Sequence, residues 1–87
     1  MRNAITFACG KDDKLLEVQL EPEALIFRVP PGNEITFTGE SDAGSVEWSM
    51  QFYQAENLVQ LCPASKEFFD IAIYENGVLL DDWWKYM

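Results

Sequence analysis

The chain contains no histidine, and only 6 of its 87 residues are lysine or arginine, against 15 aspartates and glutamates. The missing histidine removes the commonest general base, the commonest transition-metal ligand and the usual partner of a nucleophilic serine or cysteine. The shortage of cations leaves a formal net charge of −9, which repels a phosphate backbone, so no nucleic-acid partner is expected. No apolar run approaches the ~20 residues needed to span a bilayer, and no membrane partner is expected either. Ala4–Cys9 is too short for a signal-peptide core. Thr6-Phe7-Ala8-Cys9 ends like a lipoprotein cleavage box, but Thr6 stands where an aliphatic residue is wanted and no hydrophobic region precedes it, so no lipid anchor is expected. Cysteine is scarce. Cys9 and Cys62 lie in apolar, strand-like surroundings, and two cysteines without a secretion signal read as buried reduced thiols in a cytoplasmic protein. Neither stands at a helix start or beside a cation cluster that would lower its pKa, so no catalytic thiolate is expected. Repeats, low-complexity tracts and Ser/Gly linkers are absent as well, which makes residues 1–87 a single domain.

What is present is enough apolar material for a core: 48% of the chain is hydrophobic and 14% aromatic, too much for a disordered acidic tail. Turn formers recur at roughly 8–12-residue spacing with short alternating runs between them, the pattern of an all-β sandwich or barrel. Leu16, Val18 and Leu20 alternate with Glu17, Gln19 and Glu21 before Pro22 ends the run; Leu25, Phe27 and Val29 alternate with Ile26 and Arg28. Ile35 and Phe37 alternate with Glu34, Thr36 and Thr38. The clearest run puts Val46, Trp48, Met50 and Phe52 on a core face and Glu47, Ser49 and Gln51 on an outer one. Ile5–Cys9 and Leu58–Cys62 are further strands, the second too short for its facing to be read. A helical turn could follow Pro63, and no long helix is expected. Asn76-Gly77 predicts a type I′ hairpin, because both residues tolerate the positive φ such a turn needs. Its register sets Ile73 opposite Leu80 and Tyr74 opposite Leu79. Ile71, Ile73, Val78 and Leu80 then share the core face. The expected fold is a small all-β sandwich of about 7–8 mostly antiparallel strands.

Val29-Pro30-Pro31-Gly32-Asn33-Glu34-Ile35-Thr36-Phe37-Thr38, a strand, a Pro/Gly turn and an alternating apolar–threonine strand, is similar to a segment of cupredoxin-like and immunoglobulin-like sandwiches. The likeness covers ten residues of 87 and implies an architecture of that kind. A cupredoxin copper site needs two histidines with a cysteine. With no histidine in the chain, no copper role carries over, and no cofactor or metal is expected.

No catalytic constellation emerges. Asp12-Asp13 and Asp81-Asp82 are adjacent carboxylates, and neighbours on a strand point to opposite faces. Gly39–Ser45 offers too few oxygens at the wrong spacing for a calcium loop. Two features point instead to binding. Residues 1–29 carry a net charge of −1 and residues 30–87 a net of −8, with no cation between Arg28 and Lys66. Glu34, Glu40, Asp42 and Glu47 are therefore candidates for an acidic patch. The C-terminal Trp83-Trp84-Lys85-Tyr86-Met87 is rich in the aromatics that dominate interface hot spots, and Trp83, Trp84, Tyr86 and Tyr74 are candidate partner-binding residues. The expectation is a non-catalytic acidic module that binds a protein partner or self-associates. The alternatives are an acidic inhibitor, immunity protein or DNA mimic directed at a basic protein, and a small metal- or ligand-binding β domain.

Overall fold

In the computed structural model, which describes residues 2–21, 25–40, 47–63 and 70–80, all regular structure is β. The strands are β1 (Arg2–Ala8), β2 (Leu16–Leu20), β3 (Leu25–Val29), β4 (Glu34–Glu40), β5 (Trp48–Tyr53), β6 (Leu58–Pro63), β7 (Asp70–Glu75) and β8 (Val78–Leu79). They form two four-stranded sheets, ordered β1-β4-β7-β8 and β3-β2-β6-β5. Every described pairing is antiparallel except β2 with β6. The chain is thus a small β-sandwich, as its alternation predicts. Among the described residues no helix is long and apolar enough to cross a membrane.

The period-two runs place the core. Leu16, Val18 and Leu20 of β2 and Leu25, Phe27 and Val29 of β3 turn inward, while Arg28 and Ile26 face solvent. Ile35 and Phe37 of β4 and Ile73 of β7 meet them from the other sheet. In β6, whose facing the sequence leaves open, Val59 and Leu61 point inward. Phe37 lies at the centre. Its ring takes the edge-on contact of Phe7 at 6.2 Å and, across the sandwich, of Phe27 at 5.6 Å, the geometry that aromatic quadrupoles favour. Thr38, on the opposite face of β4, is also buried, and its hydroxyl donates to the Ala72 carbonyl at 3.3 Å.

The predicted hairpin forms in its predicted register. Asn76 and Gly77 have φ of 51° and 82°, Tyr74 pairs with Leu79, and the Leu80 amide donates to the Ile73 carbonyl at 2.8 Å. Asn76 also ties the turn to β4. Its Oδ1 accepts from the Glu34 amide at 2.9 Å, and its own amide donates to the Glu34 carbonyl at 3.0 Å.

Four expectations are corrected. Met50 and Phe52 stand on the core-facing side of β5, opposite buried Leu61 and Val59, yet they are 57% and 54% exposed. They sit on an edge strand that the facing sheet does not cover. Val78 shares the parity of Ile73 but is 70% exposed, because the hairpin tip projects past the end of the core. Cys9 is buried as expected; Cys62 is exposed, since it faces away from the core between Leu61 and Pro63. The first strand begins at Arg2, where β4 is long enough to pair with it, and not at Ile5. The turn after Pro63, Val46, Asp42, the Asp81-Asp82 pair and Trp83, Trp84 and Tyr86 lie outside the described residues.

Candidate functional site

Among the described residues, β1 of one sheet and β5 of the other are edge strands with no further strand paired to them. Between them runs a cleft of about 570 Å³, walled by Phe7 on β1 and by Phe52, Val59 and Leu16 from the opposing sheet. Both edges lack the usual guards against strand pairing. β5 is six residues long and has neither a charged residue nor a proline; β1 is seven long and has only Arg2, at its start. The remaining edges are guarded. β3 carries exposed Arg28 and is followed at once by Pro30, and β8 is two residues long. The unprotected backbone and the uncovered apolar side chains therefore coincide on one flank.

One end of the cleft is held by two turns bonded to each other. Asn57, at φ 49°, donates from Nδ2 to the carbonyls of Lys14 at 3.1 Å and Leu15 at 3.0 Å, and its carbonyl accepts from the Glu17 amide at 3.0 Å. The Cys9 thiol donates to the Lys14 carbonyl at 3.1 Å, and Asp13 Oδ2 accepts from the Gly10 amide at 3.2 Å. Asparagine tolerates the left-handed conformation this turn demands. Asp13 and Lys14 line the cleft here, with exposed Glu56 in the adjoining turn. Exposed Glu47 precedes β5 and Arg2 stands opposite Glu40 in the β1–β4 register, none of the three among the residues that line the cleft.

Of the acidic candidates, Asp42 lies outside the described residues, and Glu34 stands apart from Glu40 and Glu47. Glu34 and Glu40 begin and end β4, six residues or about 20 Å apart along an extended strand. Glu34 lines a separate cavity of about 270 Å³ with Arg28 and Glu75, so a cation shares its surroundings. Glu40 and Glu47 belong to the opposite end of the sandwich. Tyr74 is half-buried on the outer face of β7, beside exposed Leu79, on the flank away from the cleft. Met50 and Phe52 escape sequence reasoning because alternation assigns them to a core face, and Phe7 because the sequence gives its strand no facing. The signal that separates them, a six-residue strand without charge or proline, carries weight only once that strand is known to be an edge. Among the described residues no three His, Cys, Asp or Glu side chains group to hold a metal ion. No family model, curated protein or solved structure matches the chain.

Proposed function

We propose that the protein is a non-catalytic interaction module that engages a protein, either a partner or a second copy of itself, on the flank between β1 and β5. One observation supports this most directly: Met50 and Phe52, on the core-facing side of β5, are left 57% and 54% exposed beside two unguarded strand edges. Exposed apolar rows next to free edges are what strand-mediated recognition uses, the backbone supplying affinity and the side chains selectivity. Free Cys9 and Cys62 favour a cytoplasmic setting.

In-cell photo-crosslinking tests the proposal. A diazirine analogue of phenylalanine in place of Phe52 should yield a covalent adduct to a protein, while the same group in place of Ile26, exposed on the far edge strand β3, should not. An adduct of twice the chain mass identifies a second copy, and a different mass identifies a partner. Equal or absent labelling at the two positions, in folded protein, refutes the assignment of this flank.

A further inference from the structure

We infer that Asn76 is a site of covalent modification, deamidation to aspartate and isoaspartate by attack of the Gly77 nitrogen, and that the bonds tying Asn76 to the start of β4 gate the reaction.

The chain has four asparagines, followed by Ala4, Glu34, Leu58 and Gly77. Ring closure needs the nitrogen of the next residue to reach the asparagine Cγ, and a side chain on that residue obstructs the approach. Gly77 has none. It is exposed at the hairpin tip, and no atom beyond its chain neighbours stands within 4 Å of where a Cβ would be. Asn76 is exposed as well. The only co-reactant is water. The Gly77 nitrogen bonds to Asn76 Cγ and gives up its proton, the side-chain nitrogen leaves as ammonia, and a cyclic imide remains. Water opens the imide at one carbonyl to give aspartate or at the other to give isoaspartate, with no change of oxidation state.

The fold holds this chemistry back. The Glu34 amide can only donate, so Asn76 turns Oδ1 toward it at 2.9 Å, and the same rotation brings Nδ2 to Asn33 Oδ1 at 3.2 Å. Both partners lie at the start of β4, so the carboxamide points across the sheet and reaches the Gly77 nitrogen only by giving both bonds up. Reclosing the hairpin does not undo the reaction. Aspartate has no Nδ2 to offer Asn33, and its carboxylate joins Glu34 and Glu75 around a cavity where, among the described residues, Arg28 is the only cation. Isoaspartate routes the main chain through Cβ and Cγ, which breaks the two-residue turn that sets Tyr74 opposite Leu79. Asn76 thus records irreversibly how often the tip opens, and each event adds a negative charge to a net of −9.

Peptide mapping by mass spectrometry of the full chain, aged at mildly alkaline pH, tests this. The peptide containing Asn76 should gain about 1 Da and accept label from an isoaspartyl methyltransferase, ahead of those containing Asn3, Asn33 and Asn57. In urea the rate should rise about tenfold to a hundredfold, the scale of losing two neutral hydrogen bonds. Asn33→Ala removes one of them and leaves Asn76-Gly77 intact; in this variant, its fold checked by circular dichroism, the rate should rise about two- to tenfold. In the isoaspartyl fraction, the Asn76 and Leu80 amides, bonded in the intact protein to the Glu34 and Ile73 carbonyls, should exchange faster. No gain at Asn76, or a gain no faster than at Asn57, overturns the site. Equal rates in folded protein and in urea overturn the gate, as does an unchanged rate in folded Asn33→Ala. Unchanged amide exchange in the isoaspartyl fraction overturns the effect on the turn.

Discussion

Phe37 and Phe52 have the same parity in alternating strands, and truncating each to alanine separates the closed part of the sandwich from its open flank. Phe37 is fully buried and wedged between Phe7 and Phe27. Its removal loses the transfer energy of the ring and both edge-on contacts and leaves a cavity the sheets cannot close, which costs about 3–5 kcal/mol. A domain of 87 residues has a total stability of only about 4–13 kcal/mol. Phe52 is a little under half buried. Scaling the ~1.5–3 kcal/mol of a fully buried ring by that fraction gives about 1 kcal/mol, with no cavity term because the site is already open to water. Both variants lose the same β-propensity, so their difference isolates packing. At about 4–8 °C per kcal/mol for a domain of this size, Phe52→Ala should lower Tm by about 4–8 °C and Phe37→Ala by at least about 12 °C. Urea titration followed by tryptophan fluorescence and far-ultraviolet circular dichroism, repeated at two protein concentrations, gives both values and shows whether self-association contributes. Equal losses in the two variants, independent of concentration, would mean that Phe52 is packed within the monomer and that the flank is closed.

Other parts of the structure make separate demands. Asn76→Ala removes the side-chain bonds to the Glu34 amide and Asn33 Oδ1 and forces alanine to φ 51°, so it should cost about 2–3 kcal/mol by chemical denaturation. Asn76→Gly, which relieves the backbone but not the lost bonds, should cost about 0.5–1.5 kcal/mol; the reverse order would show that the turn is not type I′. Asn57→Ala frees the Lys14 and Leu15 carbonyls at the cleft end and should destabilise by about 1–3 kcal/mol while accelerating amide exchange at Glu17. Folded protein should show one fast-reacting thiol toward a chromogenic disulfide reagent, lost in Cys62→Ser, with Cys9 reacting only in denaturant; two fast thiols would contradict the burial of Cys9.

The sequence alone determined what depends on neighbours along the chain. Alternation in Leu16–Leu20 and Leu25–Val29 fixed their inward faces, because a strand's side-chain period is two wherever it lies. Asn76-Gly77 fixed both the hairpin and its register, because the positive φ values are a property of those two residues. Only the tertiary structure decided which strands are edges and which edges face each other. Thus Trp48–Tyr53 has the pattern of a core strand and is one in parity, yet the order β3-β2-β6-β5 places it at the margin of its sheet, where Met50 and Phe52 stay exposed. The same distinction separates Phe37 from Phe52. Burial is set by the strands stacked overhead, whose positions follow from pairings between residues far apart in sequence, such as β2 with β6. The candidate site is built from that non-local information: local pattern marked Met50 and Phe52 as apolar, and the stacking of two sheets of equal strand number left them uncovered.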